Sequence, residues 1–100
     1  MKPIWIIQPA EQEILDAAYY YELQASGLGG DFLDKIDSAI DDISSNPEAW
    51  QVVRDNIHRR LVYRFPYALL YRIDLNEIVI LATMHLHRHP LYWIKRIKIF

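Results

Sequence analysis

The sequence predicts an α+β fold in which an N-terminal strand and a helical hairpin pack on a curved antiparallel β-sheet. Three observations carry this expectation. The apolar residues recur first at strand spacing, then twice at helical spacing, and then in successive runs rich in Val, Ile, Leu and Tyr. Tight turn signals join those runs. The chain has 100 residues with 52% hydrophobic and 13% aromatic content, which suits one core filled by bulky rings. No repeat or linker interrupts it, so residues 1–100 form one expected domain.

Between Pro3 and Pro9 the run Ile4-Trp5-Ile6-Ile7 reads as a short strand. A helix follows from Ala10, with Ile14, Ala18 and Tyr21 on one side, Leu15 and Tyr19 alongside, and Glu11, Glu13 and Asp16 in turns where the helix dipole favours anions. Ser26-Gly27-Leu28-Gly29-Gly30 is expected to end it through a left-handed glycine at the C-cap. Phe32, Ile36, Ile40 and Ile43, with Leu33 and Ala39, mark a second amphipathic helix that stops near Asn46-Pro47, and Asp34, Asp37, Asp41 and Asp42 fall on its solvated side. The short loop makes the pair an antiparallel hairpin.

Trp50 to Arg54, Ile57 to Phe65, Tyr67 to Asp74 and Glu77 to His87 read as strands of an antiparallel meander that turns at Pro66 and at Leu75-Asn76, with Pro90 closing the last. On the second of these, Arg60, Val62 and Arg64 share the face expected to meet solvent, and Leu61, Tyr63 and Phe65 share the other. Tyr63, Phe65, Tyr67, Tyr71 and Trp93 are expected as core or rim aromatics. Residues 94–100 fit a closing helix, an extra strand or a tail.

With no cysteine there is no disulfide, thiolate nucleophile or cysteine-based zinc site, a pattern that suits a reducing cytosol. The apolar run at the amino terminus is too short for a signal-peptide core or a bilayer span, so the expected location is cytoplasmic, away from membranes. The net charge of −2 hides an asymmetry. Before Gln51, Lys2 and Lys35 stand against ten acids, whereas from Gln51 onward Arg54, Arg59, Arg60, Arg64, Arg72, Arg88, Lys95, Arg96 and Lys98 stand against Asp55, Asp74 and Glu77. Such a half favours an anionic partner, or else the two halves attract each other.

The densest chemical constellation is His85-Leu86-His87-Arg88-His89-Pro90-Leu91-Tyr92. On an extended strand His85, His87 and His89 project to one side, a spacing that suits a metal ion only weakly because no carboxylate lies nearby in sequence. No metal or other cofactor is expected. The same residues suit acid–base cleavage of a phosphodiester by its own 2′-hydroxyl: His85 to move protons, Arg88 and Arg64 to hold the phosphorane, Tyr92 to complete the site. Arg59, Arg60, Arg64, Arg88, Lys95 and Arg96 are the candidate contacts to a nucleic acid or protein target.

The ordered set Ala17-Ala18-Tyr19-Tyr20, Gly27-Leu28-Gly29, Asn46-Pro47, Arg60 with Arg64-Phe65-Pro66-Tyr67, Tyr71, and His85 with Arg88 and Pro90 resembles the RelE/ParE superfamily of toxins, especially its ParE-like "plasmid stabilization" branch. The resemblance spans essentially the whole chain. It implies the toxin half of a type II toxin–antitoxin pair and a co-expressed antitoxin, in a possible hetero-oligomer. ParE-like members inhibit growth by poisoning DNA gyrase without a catalytic site; RelE-like members cut ribosome-bound mRNA as metal-independent mRNA interferases. Arg64, Arg88 and Tyr92 match functional positions of the second group. Phe65-Pro66-Tyr67, Gly27-Leu28-Gly29 and the lack of lysine between Lys35 and Lys95 lean toward the first. A non-toxic binding module on the same fold is the remaining alternative.

Overall fold

A computed structural model describes residues 1–100. Strand β1 (Ile4–Ile6) leads into helix α1 (Gln8–Gln24) and helix α2 (Leu28–Ser45), and a 3-10 turn at Pro47–Ala49 delivers the chain to β2 (Gln51–Arg54). Strands β3 (Ile57–Leu61), β4 (Tyr67–Ile73) and β5 (Ile78–His85) follow, and a run of turns ends in a short helix α3 (Arg96–Ile99). The sheet order is β1-β5-β4-β3-β2. Strands β2 to β5 form the expected antiparallel meander, but β1 lies parallel to β5, with Ile4 opposite Ile78 and Ile6 opposite Ile80, so the sheet is mixed. The helical hairpin between β1 and the meander brings β1 back to the last strand in parallel orientation.

Pro9 sits in the first turn of α1, where its missing N–H costs nothing, and Ala10, Ile14, Ala17 and Ala18 form the buried face. Phe32, Ile36, Ala39 and Ile43 are the buried face of α2. The hairpin is tighter than the sequence suggests. Helix α1 stops at Gln24, its C-cap is the extended Ala25, and Gly27 is the left-handed residue (φ 88°) immediately before α2, not the C-cap of α1. Gly27 has no side chain with which to cap α2. Glu22 of α1 supplies the acceptor instead, taking the N–H groups of Gly27 and Gly29 at 3.0 and 3.1 Å. Gly29 also lets the helices touch, since a Cβ there would lie 2.5 Å from the Ala18 carbonyl oxygen.

Helices cover one face of the sheet, and the C-terminal segment covers the other. Successive strand residues point to opposite faces, so the burial of every residue from Ile78 to Met84 requires cover on both. Tyr71 reaches to the helical side and donates to the Pro47 carbonyl at 2.6 Å. Its neighbour Arg72 points the other way and binds the carbonyls of Ile97 and Phe100. Trp93 from the same C-terminal segment is fully buried, with Ile94 and Ile97 packed against the core. This settles the open reading of residues 94–100 as turn and helix.

Strand β3 ends at Leu61, earlier than the sequence pattern implies, and Arg64 lies in the following turn with φ 75°. The expected division of faces holds for Arg64 and Phe65 but fails from Arg60 to Tyr63. Val62 and Phe65 are buried, Leu61 and Tyr63 are exposed, and Arg60 turns toward α2, where it pairs with Asp42 at 2.7 Å over the Trp50 ring.

Gly29→Ala is expected to lower the unfolding free energy by roughly 1–3 kcal/mol through overpacking, whereas Gly30→Ala, where a Cβ meets open space, should raise it by about 0.5–1 kcal/mol. Urea unfolding of the two variants measures the contrast. Burial pushes the Tyr71 phenol up to about 12, against the opposing pull of Arg60. Its stabilising contribution is therefore fully present below the unfolded value near 10 and lost as pH rises through about 12. Stability should fall across that window by on the order of 1 kcal/mol per pH unit for such a group, and Tyr71→Phe should flatten the fall by one proton.

Candidate functional site

A cleft of about 310 Å³ opens between α1, the adjoining ends of β4 and β5, and the loop after β5, lined by Glu13, Asp16, Ala17, Tyr20, Tyr67, Thr83, His85 and Arg88. Residues 13, 16, 17 and 20 share one face of α1 by helical spacing. Tyr67 and His85 are register partners across β4 and β5, and their rings meet edge to face at 5.1 Å.

The floor of the cleft is built around Glu13, and the reason lies in the length of β1. That strand pairs with β5 only as far as Ile80, whose carbonyl still receives the Ile7 N–H. Beyond it the backbone edge of β5 has no strand beside it. The register also slips, because Leu70 faces Ala82 and Tyr71 faces Ile80, so Leu81 is bulged. Side chains fill the gap: Glu13 accepts the Thr83 N–H at 3.1 Å and Arg96 donates to the Leu81 carbonyl at 2.9 Å. Arg96 also grips both oxygens of Glu13, at 2.9 and 3.2 Å, and Tyr92 donates its hydroxyl to the same carboxylate at 2.7 Å. The Thr83 hydroxyl ties α1 to β5 by donating to the Ala10 carbonyl.

Arg88 stands at the edge of this cluster. Its guanidinium stacks 3.8 Å from the Tyr92 ring centroid but lies 3.5 Å from Glu13, and its side chain is 55% exposed. Burial, then the hydrogen bond to Glu13 and its charge, hold the Tyr92 phenol far above the ordinary tyrosine value, although Arg96 and Arg88 pull it down. Burial works against the charge of Arg96, yet the bond and charge of Glu13 outweigh it and raise the Arg96 pKa. The phenol is thus a protonated donor to Glu13 and a poor proton source for chemistry near neutrality.

The proposed site residues are only partly brought together. His85 and Arg88 line the cleft, and Tyr92 lies beside it with its hydroxyl engaged. Arg64 is not a lining residue; it sits over Phe65 and 3.7 Å from Asp31. Arg59 bonds Gln51, Arg60 pairs with Asp42, Arg96 is turned inward, and Lys95 is exposed. Strand β5 ends at His85, so the three imidazoles do not project from one strand. The Nδ1 atoms of His85 and His89 accept the backbone N–H groups of His87 and Leu91. No group of three His, Asp or Glu is placed to hold a metal ion, and no helix is long and apolar enough to cross a membrane.

Glu13 is the residue that sequence reasoning misplaces. Its expected role is a helix-dipole carboxylate, yet it falls between Ala10 and Ala17 at i+3 and i+4 on the buried face. An acid on that stripe is itself the sign of a buried partner.

A family model described as "ParE toxin of type II toxin-antitoxin system, parDE" matches residues 6–90. A solved structure titled "Chromosomal ParDE TA system from P. aeruginosa" superposes with a TM-score of 0.63 at 17% identity, over 87% of this chain and 98% of that one. At that identity the likeness concerns the fold. No curated protein matches the sequence.

Removing one partner from the Glu13–Arg96 pair, whose side chains are 15% and 18% exposed, is expected to cost about 3 kcal/mol in either Glu13→Gln or Arg96→Gln. The double variant should show a coupling of about 1–3 kcal/mol in urea unfolding, and additive effects would contradict the cluster. Arg88→Gln should cost less than about 1 kcal/mol.

Proposed function

Because the chain belongs to the ParE toxin family of type II toxin–antitoxin systems, we propose that it arrests growth by binding a cytosolic target, DNA gyrase in the first instance, without cleaving RNA. A cognate antitoxin neutralises it. The observation that carries this reading is the state of the cleft. Cleavage of a phosphodiester asks for free proton carriers and unopposed positive charge. Here the Tyr92 hydroxyl is bound to Glu13, Arg96 is committed to the same carboxylate, and Arg64 lies outside the lining. Glu13 and Asp16 face the place where a phosphate would sit. Inhibition by surface contact needs none of these groups to react.

One observation favours the RelE-like alternative, an mRNA endoribonuclease acting on the ribosome: His85 and Arg88 do share a cleft. The two readings separate cleanly. General acid–base catalysis is worth on the order of 100- to 10,000-fold, so His85→Gln would abolish arrest by cleavage and should leave arrest by binding within about threefold. The expected result is that purified chain inhibits gyrase supercoiling or traps its cleavage complex, that DNA synthesis stops before protein synthesis on induction, and that mRNA from arrested cells shows no new 5′ ends. New 5′ ends that vanish in His85→Gln would replace this reading with the nuclease.

A further inference from the structure

An inhibitor that acts by binding gyrase leaves the Glu13 cleft without a task. Its walls nevertheless carry a one-sided set of hydrogen-bonding groups. The hydroxyls of Tyr71 and Tyr92 are taken up within the chain, by Pro47 and Glu13, whereas those of Tyr20 and Tyr67 are not. His85 accepts the His87 N–H on Nδ1, which in the neutral ring leaves the proton on Nε2 as a donor. Arg88 is held by its stack on Tyr92, and its 3.5 Å approach to Glu13 is too long for a good hydrogen bond. Four donors therefore converge on the opening, and each wants an acceptor.

From this arrangement we infer that the cleft receives a single carboxylate side chain, an Asp or Glu presented by an otherwise apolar segment of the antitoxin, bound between Arg88, His85 and the hydroxyls of Tyr20 and Tyr67. The inference rests on the reading that an antitoxin partners this chain. An ionised carboxylate is purely an acceptor and matches such a donor set, and Arg88 is already oriented by the Tyr92 ring. Burial first, then the phenols of Tyr21 and Tyr20 and the charge of Glu13, raise the Tyr67 pKa, so its hydroxyl stays a donor at neutral pH.

Two acids already face the cleft and must be accounted for. Glu13 has its oxygens occupied by Arg96, Tyr92 and the Thr83 N–H, and Asp16 accepts from Gln12 at 2.9 Å. Their charges balance those of Arg88 and Arg96, so one more carboxylate enters a formally neutral site. A nucleic acid brings a charge with every nucleotide, and each further phosphate would add to the repulsion from Glu13 and Asp16, which already line the cleft. The rim also favours polypeptide. Leu23 lies one turn beyond Tyr20, and Leu86 and Leu91 flank the Arg88 loop, all three exposed.

The test is a two-dimensional NMR titration of the purified chain with N-acetyl-glutamate N-methylamide, its glutamine counterpart and inorganic phosphate. Saturable shifts at His85 and Tyr67 are expected from the glutamate probe, with a Kd on the order of millimolar for so small a ligand. Arg88→Gln and Tyr67→Phe should each weaken it by about fivefold, and their otherwise superimposable spectra would establish that both variants fold. In the complex with the co-expressed antitoxin the same signals should be shifted already and no longer respond to the probe. Equal binding of the glutamine probe, equal or tighter binding of phosphate, no saturation by the free chain, or an unaltered response in the complex would each overturn the assignment. Growth arrest and its relief by the antitoxin are read in cells, so failure of the toxin reading is distinguishable from failure of this one.

Discussion

The structure depends on closing the backbone edge of β5 where β1 runs out. A bare edge at the wall of the core would leave the Leu81 carbonyl and the Thr83 N–H without partners, and each such group costs about 1–3 kcal/mol when buried. Glu13 and Arg96 take them. One carboxylate on α1 therefore fixes three things together: the helix on the sheet, the edge of β5, and the C-terminal segment that carries Arg96, Tyr92 and the buried Trp93. The second face of the sheet is covered through the same link. A partly buried ion pair of this kind specifies an arrangement more than it stabilises one, because desolvation offsets most of the attraction.

How legible this was in the sequence follows from the range of each interaction. Local periodicity located α1, α2 and the strands, since amphipathic spacing and turn residues act over a few positions. Ile14 with Ala18, and Phe32 with Ile36 and Ile43, are where the pattern puts them. The parallel pairing of β1 was not legible, because the three residues Ile4–Ile6 say nothing local about which strand they join. Gly27 was legible as a left-handed residue but not as the entry to α2. Its cap comes from Glu22 on the other helix, and that contact exists only once the hairpin has closed.

The charge asymmetry shows the same limit more sharply. Counting cations in the carboxyl half suggests a broad basic surface, but folding assigns many of them to partners inside the molecule. Arg60 goes to Asp42, Arg72 to Asp74 and the C-terminal carbonyls, and Arg96 to Glu13. Two of these three acids come from the amino half. Attraction between the halves, one of the two sequence readings, therefore accounts for part of the excess, and what stays available is a smaller set that includes Arg54, Lys95 and Lys98. Of the three residues expected on one solvent face, Arg64 is exposed, Arg60 is drawn to Asp42, and Val62 is buried past the end of the strand. The strand ends at Leu61, and alternation beyond a strand end carries no information.

The role of Glu13 also bears on how one scaffold serves two kinds of toxin. A nuclease and a gyrase inhibitor can share the helical hairpin and the meander, so the fold leaves the chemistry open. Cleavage of a phosphodiester between α1 and the end of β5 would ask for positive charge there that nothing within the chain opposes. In this ParE-family chain the carboxylate that completes the fold also neutralises that space, and it holds the Tyr92 phenol as its donor. Removing the carboxylate would free the arginines and at the same time reopen the edge of β5. Stability and the charge of that space are thus coupled through one residue.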